Sequence, residues 1–303
     1  MKVLVTGGAG FIGSHSVEAL LDAGAAVDVL DNFSNGKRSN LPAHERLEII
    51  EGDIRESKDL KRAINGATHV LHLAAQVSVQ ESVAQPIHSC DNNIVGFLRV
   101  LEAAKAQGIK RVVYASSAAV YGLPEEVPLT ESSPTAPISP YGLEKLIDDQ
   151  YANLYASLYG LDSLGLRYFN VYGPRQDPAS PYAGVISKWA AALANNQPVR
   201  IFGDGSQTRD FIYVKDIARA NLLALQSEAQ GVCNVGTGAS ITLLQLLDTL
   251  EVAAGLKAQR QFEPPAAGDI RLSEMRPDRL HQILGRQPST PLLQGLKALL
   301  QIA

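Results

Sequence analysis

Tyr141 and Lys145 stand four residues apart in the run Tyr-Gly-Leu-Glu-Lys, which reads as helix, so both side chains share one face. A phenol with its ordinary pKa of about 10 is a poor base at neutral pH. An ammonium beside it favours the phenolate, and a positively charged cofactor ring would add to that pull. Ser117 closes a predicted neighbouring strand, where its hydroxyl can hold a substrate hydroxyl and share its proton. Such a trio suits removal of a proton from an alcohol while hydride leaves the same carbon. The same spacing also arises in many helices as a core ring and a solvated amine, so the setting decides its meaning.

The setting begins at the N-terminus. Lys2 to Val5 is a short apolar run with two valines, read as a buried strand. It breaks at Thr6 into Gly7, Gly10 and Gly13, and then opens a helical pattern at Phe11, Ile12, Val17, Leu20 and Leu21. A strand turning on glycine into a helix presents the N–H groups of Phe11, Ile12 and Gly13, and the positive end of a dipole, to a diphosphate. The glycines permit the turn, the close approach of the pyrophosphate, and tight helix–strand packing. Gly24 is placed to end the helix, Ala26 to Leu30 reads as a second strand, and Asp31 stands at its end, eighteen residues past Gly13. An acid there accepts both hydroxyls of an adenosine ribose and repels a 2′-phosphate, which points to NAD rather than NADP. An ordinary turn with a surface Asp is the bland alternative.

Further strand ends supply the rest of the expected cofactor wall. Leu47 to Ile50 is a third strand; Asn32, Asp53 and Ile54 lie just past the second and third, with a helix N-cap as the alternative role for Asp53. A helix at 57–65 leads to the strand His69–Leu73 and to Ala74, Ala75 and Gln76, small residues that leave room for a cofactor. A long helix is predicted from Ile87 to Gln107, with Asn92 near its start and facing the cofactor. Strand Arg111–Ser116 runs into Ser117, helix Tyr141–Tyr159 follows a proline-rich loop, and strand Ser163–Phe169, which carries Tyr168, ends at Asn170. Alternation of this kind predicts an α/β fold built on a doubly wound parallel sheet, Rossmann-type, over residues 1–170. Residues 171–303 read as a smaller mixed α/β cap for the substrate, with the chain returning to the sheet around 209–236. Helices are predicted at 182–195, 215–227, 243–254, 276–284 and 291–301, and strands at Val199–Phe202 and Val232–Val235.

The chain has 303 residues, 46% of them hydrophobic, and a formal charge of −4, which gives no reason to expect a nucleic-acid partner. Cys90 and Cys233 lie far apart in no metal-like spacing and fit a reducing compartment. No apolar run reaches the roughly 20 residues of a membrane span, and the chain opens directly in a strand. A cytoplasmic protein without membrane or metal partners is expected.

The succession Gly-Gly-Ala-Gly-Phe-Ile-Gly, Ser-Ser-Ala-Ala-Val-Tyr-Gly, Tyr-Gly-Leu-Glu-Lys, Leu-Arg-Tyr-Phe-Asn-Val-Tyr-Gly-Pro and Arg-Asp-Phe-Ile-Tyr-Val-Lys-Asp resembles the extended short-chain dehydrogenase/reductase family, the sugar-nucleotide epimerases and dehydratases. The resemblance covers nearly the whole chain. It implies a tightly held NAD⁺ and a nucleoside-diphosphate sugar, with Ser117, Tyr141 and Lys145 catalytic. It places Ser78 near the substrate, Asn170 and Arg209 on the diphosphate, and Val199 and Phe202 beside the nucleotide base. An ion pair with Asp210 or Asp216 is the alternative role for Arg209.

Dehydratases and decarboxylases of that family carry acids after the active-site hydroxyl; Ala118 and Ala119 stand there instead, and an alanine cannot move a proton. Reversible hydride transfer at C4 of a UDP-hexose remains. The stretch Gly268–Ser273, with Arg271, resembles the segment that closes over the sugar. A bulky aromatic at the Ser273 position restricts family members to glucose and galactose, whereas Ser273 leaves space for a 2-acetamido group. Ala266 replaces an Arg that usually holds the diphosphate, for which Arg271 or Arg260 could substitute. A GDP- or dTDP-linked sugar, net reduction rather than epimerisation, and a non-catalytic NAD-binding scaffold are the competing readings. Apolar residues beyond one core face (Ile94, Phe97, Leu98, Leu101, Leu146, Ile147, Leu154, Leu158) predict a homodimer through a four-helix bundle, as in the family.

Overall fold

Strand β1 (Lys2–Thr6) lies at the middle of the sheet because its residues are apolar on both faces; Val3, Leu4 and Val5 are wholly buried. Helix α1 (Phe11–Asp22), β2 (Ala26–Asp31), β3 (Leu47–Glu51), α2 (Ser57–Ala63) and β4 (His69–His72) follow. Then come α3 (Val79–Ala84), α4 (Pro86–Cys90), a π turn at Asp91–Val95, α5 (Gly96–Gln107), β5 (Arg111–Ser117), α6 (Pro140–Tyr159) and β6 (Ser163–Tyr168). This computed structural model describes residues 1–177, 184–265, 270–285 and 289–301.

The second part of the chain adds β7 (Asn170–Tyr172), α7 (Val185–Ala194), β8 (Val199–Phe202), β9 (Thr208–Tyr213), α8 (Val214–Gln226) and β10 (Gly231–Val235). It ends with β11 (Ser240–Thr242), α9 (Leu243–Ala254), β12 (Arg260–Glu263), α10 (Asp278–Leu284) and α11 (Leu292–Leu300).

The main sheet has seven strands in the order β10-β6-β5-β4-β1-β2-β3, with every pairing parallel. Strand order reverses between β1 and β4, and the crevice beyond the carboxyl ends of such strands is where this architecture holds ligands. One face is covered by α1 and α8, with Val17, Leu20, Ile217 and Leu225 against Val5 and Val29. The other is covered by α2, α5 and α6, with Leu60, Phe97, Leu101 and Ala152 against Leu4 and Val112. The sheet is doubly wound, as expected, and β10 returns to it beside β6.

The later residues form a separate core in which Trp189, Leu193, Ile201, Leu246 and Leu296 pack together. Two small sheets, β11-β9-β7 and β12-β8, frame it. Of these strands only β8 was legible in the sequence; the others are short and largely half-exposed, without a clear alternation. Residues 209–213 belong to the small sheet rather than the main one, so only β10 and its flanking helix α8 make the predicted return.

Two expectations fail on packing. The predicted helix 87–107 is α4 and α5 joined through the π turn. Phe97 and Leu101, assigned to a dimer face, are fully buried in the core against the sheet. Phe97, Val100, Leu101 and Ala104 share the face of α5 that packs on the sheet. No described helix is long and apolar enough to cross a membrane, and both cysteines are free.

Candidate active site

The glycine turn separates what the fold needs from what a ligand needs. Gly7 sits at φ +70°, donates its N–H to the Leu30 carbonyl, and a Cβ there would lie 2.7 Å from the Ala74 nitrogen. A Cβ on Gly13 would lie 2.1 Å from the Gly7 oxygen. Both are demanded by backbone packing alone. Gly10 is different: among the described residues its Cβ would meet the Gly7 oxygen alone, at 3.3 Å, on the side where α1 begins. That side fits a diphosphate approaching the helix end.

Asp31 closes β2 with one carboxylate oxygen accepting the Ala9 N–H and the other the Phe33 N–H, both at 2.8 Å. Burial raises its pKa above the ordinary aspartate value, against those two bonds. A carboxylate has about four acceptor positions, so this one can hold the turn and still receive ribose hydroxyls. Asp53 does not cap α2, whose N-cap is Glu56. Its carboxylate is gripped by Arg55 through Nε and Nη2 and receives the Asn32 amide at 3.0 Å; the Arg55 hydrogen bond holds it well below the usual carboxylate range. Ile54 is buried under Gly96.

After β4, Leu73 donates to the Thr6 carbonyl and Ala74 to the Thr6 hydroxyl, which lays Leu73–Gln76 beside the glycine turn. Asn92 donates its amide to the His88 carbonyl one turn back. Its neighbour Asn93, which the sequence reading passed over, is buried and holds Gln76. Asn93 also donates to Glu144 Oε2 at 2.6 Å, and the same oxygen receives the Ser89 hydroxyl at 2.8 Å. The cofactor loop and the helix carrying Tyr141 are therefore tied together.

Helix α6 starts with Pro140 in its first turn and Ser139 capping the Gly142 N–H. A Cβ on Gly142 would lie 2.7 Å from the Ala119 oxygen, so glycine allows α6 to lie against the 3₁₀ turn Ala118–Tyr121 that follows Ser117. The Tyr141 N–H donates to Ser82 Oγ, and Ser117 Oγ accepts the Ala119 N–H at 3.1 Å. Lys145 is buried with its ammonium 3.1 Å from Asp148. Ser117 and Tyr141 line one cavity of about 210 Å³, together with Tyr168, Asn170, Arg209 and Ser273.

On the cap side, Asn170 donates to the Asp210 carbonyl, and Arg209 donates to the Ile270 carbonyl across the cavity mouth. The carboxylate of Asp210 is engaged by Thr237 and Gly238, and that of Asp216 by Arg219 and Thr290. Tyr168 presents its ring to the cavity while its hydroxyl donates to Asn221 at 2.6 Å. Ser78 caps α3 by accepting the Glu81 N–H.

Several expected substrate contacts move. Val199 is fully buried in the cap core, because alternation along β8 sends Val199 and Ile201 inward and Arg200 and Phe202 outward. Only Phe202 of the expected pair offers its side chain. Arg271 is exposed and outside the cavity lining. Arg260 is committed to Asp248 and Glu251 and does not reach the site. Ala266, Gly268 and Asp269 lie outside the described residues.

A parallel sheet with a glycine turn, an acid at the β2 end, and a Ser–Tyr–Lys set beside the crevice defines a dinucleotide-dependent enzyme. The chain matches the NAD dependent epimerase/dehydratase family over residues 3–236, and it belongs to that family, with NAD as cofactor. It is 39% identical over 302 residues to a UDP-glucose 4-epimerase of Mycolicibacterium smegmatis, covering 98% of this chain and 96% of that one. Among solved structures it resembles a UDP-N-acetylglucosamine 4-epimerase from Methanobrevibacter ruminantium M1 in complex with UDP-N-acetylmuramic acid. There the TM-score is 0.96 and the identity 41%, over 99% of this chain and 97% of the other. A UDP-glucose 4-epimerase with UDP-glucose from Thermotoga maritima gives a TM-score of 0.95 at 39% identity, over 100% and 98%.

Proposed function

We propose that this enzyme reversibly epimerises C4 of a UDP-hexose through a 4-keto sugar. The substrate pair is UDP-N-acetylglucosamine and UDP-N-acetylgalactosamine, together with UDP-glucose and UDP-galactose. The carrying observation is a cavity that brings Ser117 and Tyr141 to one small space while Ala118 and Ala119 follow the serine. That space has a base for the C4 hydroxyl and no acid at those two positions for elimination or decarboxylation. The epimerases named above support the same reading.

Bound NAD⁺ supplies the acceptor and then the donor of the C4 hydride. Tyr141 accepts the C4 hydroxyl proton as that bond breaks and returns it when the alcohol re-forms. Lys145 supplies the positive charge that makes a phenolate tenable there. Ser117 orients the C4 oxygen. Asn170 and Arg209 hold the diphosphate, about which the keto sugar turns to offer its other face. Residues 1–170 serve the cofactor and residues 171–303 the sugar nucleotide, with β10 lent back to the sheet. In the cofactor half, Gly7, Gly10, Phe11, Ile12 and Gly13 receive the pyrophosphate and Asp31 the ribose.

Ser273 lines the cavity and is small, which supports acceptance of a 2-acetamido group. Incubating the protein with UDP-N-acetylglucosamine and, separately, UDP-glucose without added reductant tests the reading by proton NMR. Galacto-configured anomeric signals from both are expected. Conversion that requires stoichiometric NADH would instead mark a reductase.

A homodimer through the α4–α5 and α6 helices completes the reading. Ile87, Val83, Leu143, Leu154 and Leu158 are exposed apolar residues on α3, α4 and α6, and a recess of about 350 Å³ lies along Pro86, Ile87, Cys90 and Val95. Sedimentation giving a monomer at micromolar concentration would reject it.

A further inference from the structure

Tyr141, Lys145 and Asp148 follow one another at i, i+4 and i+7 of α6 and so form a single stripe on the helix. Asp148 has no part in the mechanism above. Its Oδ2 lies 3.1 Å from the Lys145 ammonium, both side chains are almost completely buried, and Oδ1 has no hydrogen-bond partner among the described residues. A buried carboxylate with a free oxygen is costly unless its charge serves a neighbour.

We propose that Asp148 is a positioning residue for the reaction, fixing the Lys145 ammonium and tempering the field that this ammonium exerts on the Tyr141 oxygen. The proposal rests on the reading of Tyr141 and Lys145 as the proton-transfer pair.

The groups facing Asp148 give the sign. On α6 they are Lys145, Glu144 and Asp149, and from β5 Tyr114 faces it as well. Arg167 on β6 is taken by Asp149 at 3.0 Å, so it does not compensate Asp148. His72 on β4 lies near Lys145 and is held neutral by burial. Asp148 is thus surrounded by two carboxylates and one cation. Burial pushes its carboxyl up to about 7, against the pull of Lys145. Burial also acts to lower the Lys145 pKa, but Asp148, with Tyr141 and Asp149, outweighs it and holds the ammonium above the ordinary lysine range.

With Asp148 ionised, Tyr141 faces a partly compensated cation and Lys145 keeps its proton to high pH. With Asp148 neutral, the cation acts on Tyr141 at full strength, but nothing balances its burial. Asp148→Asn fixes the second condition at every pH while keeping the shape and an acceptor for Lys145.

The test is the pH profile of kcat/KM for whichever UDP-sugar the wild type turns over, in wild type, D148N and D148E. Both limbs of the D148N profile should move to lower pH by about one unit, and D148E should return them towards wild type. A D148N profile that superimposes on wild type, apart from a uniform fall in rate, overturns the proposal. Should D148N not fold, ¹³C NMR of carboxyl-labelled aspartate in the wild-type protein decides. An aspartate carboxyl that titrates near neutrality in the wild type and is lost in D148E supports the proposal, and the lack of such a signal between pH 6 and 8 overturns it. If the wild type turns over neither sugar, it is the proposed function that fails; an active wild type whose D148N profile superimposes overturns the role of Asp148 alone.

Discussion

Asn93 pairs with the peptide group of Gln76 in both directions: Gln76 donates its N–H to Oδ1 at 2.8 Å, and Asn93 Nδ2 donates to the Gln76 carbonyl at 2.9 Å. The same Nδ2 reaches Glu144, next to Lys145. One side chain therefore fixes the cofactor loop and the catalytic helix relative to each other.

Asn93→Ala strands the N–H and carbonyl of Gln76 and leaves the buried Glu144 carboxylate with the Ser89 hydroxyl. Each buried polar group left unpaired costs about 1–3 kcal/mol. Urea unfolding should show a loss of at least about 2 kcal/mol, and the purified variant should retain less NAD than wild type. Unchanged stability would mean that water or a rearranged loop replaces the amide.

Tyr141→Phe removes the proton acceptor and keeps the main-chain hydrogen bond from the Tyr141 N–H to Ser82 Oγ. Turnover should fall by about 10²–10⁴-fold with the fold intact. Lys145→Met should cost stability as well, since it leaves Asp148 buried without its cation. Circular dichroism melts beside the NMR assay separate the two effects.

His72 should make the protein acid-sensitive. It is buried between Thr6, whose hydroxyl pairs with Nδ1 at 2.7 Å, and the ring of Phe97. Burial lowers its pKa from 6.5 to about 3, with the Lys145 charge acting in the same direction. The folded state then binds fewer protons than the unfolded chain. This contribution is intact above pH 6.5 and is lost as pH falls towards 3, at about 1.4 kcal/mol per unit. His72→Asn keeps a hydrogen-bonding partner for the Thr6 hydroxyl and removes the titrating group, so it should flatten the stability curve between pH 6.5 and about 4. A curve parallel to wild type would place the acid sensitivity elsewhere.

Ser273→Tyr tests the volume argument for the sugar pocket. Overpacking costs about 1–3 kcal/mol, so conversion of UDP-N-acetylglucosamine should drop about 10–100-fold, with UDP-glucose conversion close to wild type. Equal losses on both substrates would show that the position acts on the segment as a whole and does not gate the 2-substituent.

What the sequence determined by itself rests on short-range rules. Glycines at Gly7, Gly10 and Gly13 announce a turn because a left-handed residue at Gly7 and close backbone packing at Gly13 exclude side chains. Tyr141 and Lys145 share a face because helical spacing requires it, and the parallel sheet follows from alternating elements of ordinary length. Tertiary structure decided everything that depends on phase or on distant partners. Packing against the sheet made Asn93 an inward residue and placed Phe97 and Leu101 in the core. Strand alternation along β8 was legible, but the side facing the cap core was not, so Val199 was mistaken for a contact. Arg260 has a long side chain whose direction follows the carboxylates it meets, Asp248 and Glu251. Asp148 reads in sequence as one more charge on a helix; only packing of α6 against the sheet removes it from water and places it at the ammonium of Lys145.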